Sequence, residues 1–267
     1  MKKLIVLGTG AGDATKCYNT CFAIKDEKEY FFVDAGGGNQ ILSIFEQKGI
    51  EISKIKNAFV THAHTDHLLG FIWIIRMIAY QITHGEYIGN FNIYAHAELI
   101  QKIKTICELV FPGKYFKLID DRIAFIEIKN GEKKQIMNMD FMFFDTYATK
   151  EKQFGFVLDC EGKKIVFAGD EPLENKNHQY LKDADWFLSE AFCRYEDREI
   201  FKPYEKKHST VKEPAQLSEE YGVKNLILWH TEDKTLMTRK KLYTEEAQKY
   251  FGGKVYVPDD LEEIDLC

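Results

Sequence analysis

The feature that most constrains this chain is a group of four potential metal ligands within six residues. Three of them are histidines and one is an aspartate, and they follow an apolar run that ends at Val60. The four residues are His62, His64, Asp66 and His67. Imidazole is the most common metal ligand in proteins, and imidazole with carboxylate suits zinc, manganese or iron better than calcium. The cluster therefore predicts a transition-metal site.

The spacing of these four residues predicts two ion positions. Residues two apart on an extended segment point to the same side, so we expect His62 and His64 to converge. Asp66 and His67 are adjacent and cannot both face that point. We therefore expect Asp66 and His67 to serve a second ion beside the first.

Composition indicates an ordinary globular protein and limits the classes of partner. Of the 267 residues, 45% are hydrophobic and 29% are charged, as in typical soluble domains. The net charge of −6, with no basic run longer than 206–208, argues against wholesale electrostatic capture of nucleic acid but leaves a local basic patch open. No segment approaches the roughly 18 apolar residues of a membrane span, so no membrane association is expected.

The six cysteines are scattered without a Cys-x-x-Cys pair, which predicts reduced thiols and a cytoplasmic location. Cys17 and Cys21 could in principle bind a metal together, but no partner pair follows at zinc-finger spacing. Gly8, Gly10 and Gly12 lack the spacing of the dinucleotide fingerprint, and the chain continues into a strand rather than a helix. Neither feature predicts a second site.

Local patterns predict two sheets covered by helices in one domain, residues 1–267. The expected strands are 4–7, 19–24, 29–33, 55–60, 91–95, 119–128, 134–144, 154–158, 164–168, a strand ending at 190, 225–229 and 255–258. The expected helices are 41–49, 68–82, 98–109, a short helix after 181, 214–221 and 244–250. Asn130-Gly131 is expected to be a hairpin turn between 119–128 and 134–144.

Three further apolar runs end at a potential functional side chain. These side chains are Asp170, Glu190 and His230. Strand ends are where a rigid sheet delivers side chains to a cleft. Taken alone, Asp170 could be a helix cap and His230 a structural histidine satisfied by one hydrogen bond. Together with the first cluster, they predict that distant segments meet around one site.

Several motifs occur in an order that supports this prediction. They are Gly8-Thr9-Gly10, Asp34-Ala35-Gly36, His62-Ala63-His64-Thr65-Asp66-His67, Ala168-Gly169-Asp170 and Leu228-Trp229-His230. Over roughly its whole length the chain resembles hydrolases of the metallo-β-lactamase superfamily. The resemblance implies an α/β fold, a four-layer αβ/βα sandwich in which two mixed β-sheets are flanked by helices. It also implies a dinuclear site, with one ion held by His62, His64 and Asp170, and the other by Asp66, His67, Asp170 and His230.

A second resemblance narrows the implied chemistry. Ser189-Glu190-Ala191-Phe192 followed by His208-Ser209-Thr210 is similar to elements of the tRNase Z (ribonuclease Z) branch and its phosphodiesterase relatives. The resemblance implies that Glu190 orients His208, which stabilises charge or protonates the leaving oxygen. It implies a metal-dependent phosphodiesterase in which one or two Zn²⁺ ions, or Mn²⁺ or Fe²⁺, convert water to hydroxide, with Asp66 helping to accept the proton.

Two departures from the family pattern bear on that expectation. In the family, a further metal-binding histidine precedes the strand that begins here at 154. This chain has no histidine between His96 and His178. Tyr147 or Thr149 falls at the expected place, so we expect the first ion position to bind more weakly or to be completed by water. The long Gly/Pro-rich arm that grips tRNA is also missing, so tRNA 3′-processing is not expected.

The same scaffold supports other functions, because fold alone does not choose a substrate. The alternatives are a small-molecule ester, lactone or thioester hydrolase, and a catalytically silent binding protein. The Glu190/His208 pair favours phosphodiester chemistry, whereas the missing histidine favours the binding protein. The expected partners are a phosphodiester or small-molecule substrate and a second copy in a homodimer, with nucleic acid left open.

Overall fold

Fourteen strands form two mixed sheets of seven strands each in the computed structural model, which describes residues 2–27 and 29–267. In chain order the strands are β1 Lys3–Gly8, β2 Cys21–Asp26, β3 Glu29–Val33, β4 Ile55–Phe59, β5 Phe91–Ala95, β6 Ile123–Glu127, β7 Lys133–Ile136, β8 Met139–Asp145, β9 Phe154–Cys160, β10 Lys163–Phe167, β11 Trp186–Glu190, β12 Asn225–Trp229, β13 Lys254–Tyr256 and β14 Glu263–Asp265. The first sheet has the order β14-β1-β2-β3-β4-β5-β6, and the second has the order β13-β12-β11-β10-β9-β8-β7.

The two sheets share one design. Each has an antiparallel part, β14-β1-β2-β3 and β7-β8-β9-β10, that continues into a parallel part, β3-β4-β5-β6 and β10-β11-β12-β13. Parallel strands bring their carboxyl ends to one edge of a sheet. This arrangement explains why residues that follow β10, β11 and β12 lie close together.

The described residues form seven α-helices, and the longer ones cover the outer faces of the sheets. They are α1 Gln40–Lys48, α2 Thr65–Thr83, α3 Ala97–Val110, α4 Gly113–Phe116, α5 Arg198–Phe201, α6 Lys212–Glu220 and α7 Leu236–Ala247. Short 3₁₀ helices span Ile52–Lys54, Asn175–Leu181, Tyr195–Asp197 and Pro203–Lys206. None of the helices in the described ranges combines the length and the apolar character that crossing a membrane requires.

The central strands are apolar on both faces because the middle of each sheet is buried on both sides. In β1, Leu4 and Val6 face the interior between the sheets, whereas Ile5 and Leu7 face the helices of the first sheet. The layer between the sheets is rich in aromatic rings, and the rings of Phe22 and Trp229 stack at 4.9 Å across it. The packing therefore produces four layers, helices, sheet, sheet and helices, as predicted.

The predicted hairpin at Asn130-Gly131 is wrong. This turn connects β6 at the edge of the first sheet to β7 at the edge of the second, so it joins strands that do not pair. The actual hairpin joins β7 to β8 through Met137 and Asn138, both in the left-handed region with φ of 51° and 58°. Asn tolerates this conformation, so the turn forms without the glycine on which the prediction relied.

Other boundaries also differ from the prediction. Residues 119–122 form a turn after α4 rather than the start of a strand, and α7 begins at Leu236 rather than at 244. The strand β14, which pairs antiparallel with β1, was not predicted. The strands β2, β3, β9 and β10 and the helices α1, α2, α3 and α6 are confirmed to within a few residues, and the structure pairs β2 with β3 and β9 with β10 as hairpins.

Candidate metal centre

The first histidine cluster occupies the link between β4 and α2. Val60 N donates to Tyr94 O at 3.0 Å, which continues the pairing of the link with β5. His64 has extended backbone dihedrals and precedes α2, so Asp66 lies in the first turn of the helix, where the helix dipole favours a negative charge. Nε2 of His62 and Nδ1 of His64 lie 2.9 Å apart, so these two side chains converge.

The carboxylate of Asp34 orients two of the clustered histidines. Oδ2 of Asp34 accepts from His67 Nδ1 at 2.7 Å and from the Thr61 hydroxyl at 2.8 Å. Thr61 Oγ1 also lies 2.8 Å from His62 Nδ1. Both imidazoles therefore use Nδ1 on these partners and direct Nε2 into the site, and His67 carries the Nδ1 proton that Nε2 metal ligation requires.

Oδ2 of Asp170 lies at the centre of the site. It lies 3.5 Å from Nε2 of His62, 3.4 Å from Nε2 of His67 and 3.7 Å from Nε2 of His230. Oδ2 of Asp66 completes the group at 3.2 Å from His67 Nε2. The structure thus brings together side chains of α2 and of the segments that follow β4, β10 and β12, and the two that are farthest apart in the chain, His62 and His230, are separated by 168 residues.

Two groups of donor atoms satisfy the spacing that a metal ion requires. One consists of His62, His67 and Asp170, and the other of Asp66, His67 and His230, all buried. Within the described residues, Nε2 of His67 is a buried nitrogen without a hydrogen-bond partner. An unpartnered imidazole nitrogen facing two carboxylates fits a cation.

The electrostatics of the site also fit a cation. Burial favours neutral Asp170, but the imidazoles of His62 and His67 outweigh it and hold the pKa of Asp170 well below its usual range. Burial disfavours charged His67, but Asp66 and Asp34 outweigh it and raise the pKa of His67 well above its usual value. Burial lowers the pKa of His230 to about 3, so this imidazole is neutral at pH 7. The carboxylates thus hold a positive charge on His67 where a bound metal would supply one.

Glu190 and His208 lie beside this group, on the side of the second sheet. Glu190 is fully buried at the end of β11, and its Oε1 accepts from Ser209 N at 2.6 Å. The nearest partner of His208 Nδ1 is the Asp170 carbonyl at 2.9 Å, with Glu190 Oε2 at 3.7 Å. Glu190 therefore acts on His208 mainly through its charge, whereas the Asp170 carbonyl accepts the hydrogen bond.

The pKa values of this pair shift together. Burial raises the pKa of Glu190. Burial would lower the pKa of His208, but the neighbouring Glu190 carboxyl outweighs that effect and raises it. His208 consequently holds its proton more strongly than a free histidine, as a proton donor needs to do.

A family model described as Anti-Pycsar protein Apyc1 matches residues 2–249 of the chain. The chain belongs to the Apyc1 family. This narrower family was not predicted from the sequence.

This Apyc1 family member is also similar to ribonuclease Z proteins. It is 35% identical to ribonuclease Z of Methanococcus aeolicus over 117 residues, which cover 43% of this chain and about a third (34%) of that protein. It is 24% identical to ribonuclease Z of Brevibacillus brevis over 310 aligned residues, which cover 97% of this chain and 95% of that protein. The predicted resemblance to the ribonuclease Z branch is confirmed.

The fold of this Apyc1 family member matches a solved structure along nearly its whole length. The metallo-beta-lactamase fold protein YhfI from Bacillus subtilis aligns with a TM-score of 0.79 at 16% identity, covering 98% of each chain. The predicted αβ/βα sandwich of the metallo-β-lactamase fold is confirmed.

Tyr147 and Thr149, expected near the missing histidine, contact other groups. The Tyr147 hydroxyl accepts from the Asn130 side chain at 3.4 Å, and the backbone N–H of Thr149 donates to Glu171 Oε2 at 2.9 Å. The side chain that does reach the site from this segment is Gln153, whose Nε2 hydrogen-bonds to Asp170 Oδ1 and lies 3.0 Å from His62 Nδ1. The amide of Gln153 thus contacts the candidate metal centre, whereas neither Tyr147 nor Thr149 does.

Three residues that contact the candidate metal centre, Asp34, Thr61 and Gln153, were not predicted from the sequence. Asp34 carried a usable signal, because it ends an apolar strand as Asp170 and His230 do. Its φ of 55°, like the φ of 55° at His230, is a strained conformation typical of functional strand ends. Thr61 and Gln153 carried no such signal, since a single threonine or glutamine fits many positions.

Proposed function

We propose that the protein is a metal-dependent hydrolase that cleaves a phosphodiester bond. The observation that carries this proposal is the convergence of three imidazole Nε2 atoms within 3.7 Å of Asp170 Oδ2, with the Glu190/His208 pair beside them. The metal ligands in this proposal are His62, His64, Asp66, His67, Asp170 and His230. The ribonuclease Z names of the relatives support this chemistry.

Zinc is the metal that the donor set favours. Neutral imidazole nitrogens with carboxylate oxygens suit Zn²⁺, and also Mn²⁺ and Fe²⁺, whereas calcium prefers oxygen ligands alone. Ions bound here would supply Lewis acidity toward a phosphoryl oxygen and an activated water.

The side chains of the protein supply the proton transfers. Asp66 is buried and stays ionised, because His67 and His230 outweigh the effect of burial and lower its pKa. It is therefore present as the carboxylate, the form that a proton acceptor for the attacking water requires, and its lowered pKa favours passing that proton on rather than keeping it. His208 donates Nδ1–H to the Asp170 carbonyl at 2.9 Å, which leaves Nε2 to deliver a proton to the leaving oxygen.

The surroundings of His208 favour a small anionic substrate. Nζ of Lys150 lies 3.4 Å from His208 Nε2 and offers a positive charge to a phosphate oxygen. A cleft of about 210 Å³ opens at the same place and accommodates one small substituent. Its lining residues are Thr149, Glu171, Pro172, Glu174, Tyr204, Lys207 and His208. Two acidic residues in that lining, with the net charge of −6, favour a small phosphodiester over a long nucleic acid.

The decisive experiment is an activity screen of metal-reconstituted protein. Chelator-treated protein is supplied with Zn²⁺, Mn²⁺ or Fe²⁺ and assayed on bis-p-nitrophenyl phosphate, a p-nitrophenyl ester, a thioester and a lactone. The proposal expects metal-dependent turnover of the phosphodiester above that of the other substrates. Faster turnover of the ester, the thioester or the lactone than of the phosphodiester would contradict the proposal and would support the alternative, a small-molecule ester, thioester or lactone hydrolase.

A catalytically silent binding protein is the second candidate, and one observation favours it. The chain has no histidine between His96 and His178, so the first ion position lacks the further histidine that the family resemblance implies. Metal binding without turnover of any substrate in the screen would support this candidate.

A homodimer, a cytoplasmic location and a single domain over 1–267 remain part of the proposal. Light scattering of the purified protein tests whether it is a homodimer.

A further inference from the structure

The amide of Gln153 is built into the interior of the candidate metal centre. Its side chain is buried, with 1% exposure, immediately before β9. Its Nε2 donates to Asp170 Oδ1, and its Oε1 accepts from the backbone N–H of Asp170 at 3.3 Å. Both ends of the amide therefore contact Asp170, and Nε2 also lies 3.0 Å from Nδ1 of His62.

The backbone around the amide is shaped to receive it. Gly169 has φ of +86°, and a Cβ at this position would lie 2.3 Å from Gln153 Oε1. Thr146 N donates to the Gln153 carbonyl at 2.9 Å and fixes the main chain from the other side. A side chain at 169 would expel the amide, so the glycine and the glutamine form a matched pair.

Because of this contact, the two carboxylate oxygens of Asp170 have different partners. Oδ1 is occupied by Gln153, so only Oδ2 faces His62, His67 and His230. In the structure the donor atoms that lie close enough to share an ion are those of His62, His67 and Asp170, and those of Asp66, His67 and His230. The family resemblance assigns Asp66, His67, Asp170 and His230 to one position, four donors that match the tetrahedral preference of zinc, and only His62, His64 and Asp170 to the other.

Gln153 does not supply the missing fourth donor. Its Nε2 carries hydrogens and is turned toward Asp170 Oδ1, and its Oε1 accepts from the Asp170 backbone. An amide N–H is a donor and cannot bind a cation. A histidine in this region, by contrast, would present a nitrogen lone pair.

We propose that Gln153 is a positioning residue that holds Asp170 with Oδ2 turned toward both ion positions, and that zinc fills the position of Asp66, His67, Asp170 and His230 first and the position of His62 and His64 only at higher concentration. The inference rests on the proposed metal-dependent function. Its test therefore measures zinc itself rather than turnover.

The experiment titrates Zn²⁺ into chelator-treated protein against a chromophoric chelator and counts bound zinc by elemental analysis. The wild-type protein is expected to bind one equivalent tightly and a second at least ~10-fold more weakly, as a site lacking one donor should. Gln153→Ala is expected to weaken the tight equivalent by roughly 10–100-fold. Gln153→Glu is expected to reduce the difference in zinc affinity between the tight and the weak equivalent, because a carboxylate can bind zinc where the amide cannot.

A matched control separates positioning from general damage. Gln135 is an exposed glutamine whose Nε2 also donates to an aspartate, Asp140, at 3.4 Å. Gln135→Ala should leave both affinities unchanged. Thermal unfolding of each zinc-free variant checks that it is folded, and a Gln153→Glu variant that folds keeps the test decisive if Gln153→Ala does not.

The possible results separate the inference from the proposed function. Two equally tight equivalents in the wild type, or affinities in folded Gln153→Ala and Gln153→Glu that match the wild type, would overturn the inference alone. No zinc binding by the wild type would overturn the metal-dependent function, and the inference with it. One tight and one weak equivalent, with the tight equivalent weakened in Gln153→Ala, supports both.

Discussion

The carboxylate of Asp34 accepts a hydrogen bond from Nδ1 of His67 at 2.7 Å, and both residues are buried. This bond fixes the His67 tautomer, so Nε2 faces the carboxylates of Asp66 and Asp170. Asp34 directly follows β3 and His67 lies in the first turn of α2, so one hydrogen bond links these two segments of the site. The orientation of the candidate ligand therefore depends on a residue that does not reach the ion positions.

Asp34→Asn is expected to weaken zinc binding by roughly 10–100-fold, the usual effect of removing an outer partner of a ligating histidine. Asparagine tolerates the left-handed φ of 55° at this position, so the backbone should stay in place. The measurement is zinc affinity by chelator competition, with Asp140→Asn on an exposed strand position as the control. Equal affinity in Asp34→Asn and wild type would show that Asp34 does not set the tautomer.

His208→Ala is expected to lower kcat on bis-p-nitrophenyl phosphate by roughly 10²–10⁴-fold, the range for loss of a general acid. Bound zinc per chain should stay the same, because His208 contacts the Asp170 carbonyl and not its carboxylate. Steady-state kinetics with elemental analysis on the same sample makes the measurement. His84→Ala, at an exposed histidine that caps the end of α2, is the control. Unchanged kcat in His208→Ala would remove this residue from the chemistry.

Gly169→Ala is expected to destabilise the protein more than Gly162→Ala does. Both glycines have positive φ, +86° and +78°, so both substitutions incur a strain of about 1–3 kcal/mol. Only at Gly169 does the new Cβ also meet another side chain, Gln153, since nothing lies within 4 Å at Gly162. The free energy of unfolding in urea measures the difference, and equal losses would mean that the Gln153 amide moves aside without cost.

Asp185 is expected to make the stability of the second sheet dependent on pH. Its carboxylate accepts from Lys164 N and Lys224 Nζ, both at 2.9 Å. Burial would raise the pKa of Asp185, but these partners outweigh it and lower the pKa below 3.8. A lowered carboxyl pKa stabilises the folded protein above the unfolded pKa, and that stability is lost as the pH falls through the folded value.

Asp185→Asn should therefore cost about 1–3 kcal/mol at pH 7, the value of hydrogen bonds to a charged group. The difference from wild type should shrink as the pH falls below about 4. Urea unfolding of both proteins across pH 3–7 makes the comparison. A difference in unfolding free energy that stays constant from pH 3 to pH 7 would mean that the negative charge of Asp185 does not contribute to stability.

Most of the local structure could be predicted from the sequence because the signals are local. Apolar runs that alternate between the two faces of a sheet marked the strands, and the helical spacing after His67 marked α2. The convergence of His62 and His64 followed from their spacing on an extended segment. The approach of Asp170 and His230 to them came from their positions at strand ends together with the family resemblance.

Only the tertiary structure decided how distant segments pair and which polar groups meet in the interior. The sequence by itself determined the strands, the principal helices and the candidate ligands, but not that the turn at Asn130-Gly131 crosses between sheets or that β14 pairs with β1. It also did not determine that Gln153 rather than Tyr147 or Thr149 contacts Asp170. The physical reason is that strand partners and buried hydrogen bonds depend on packing between residues far apart in the chain, which no local pattern encodes.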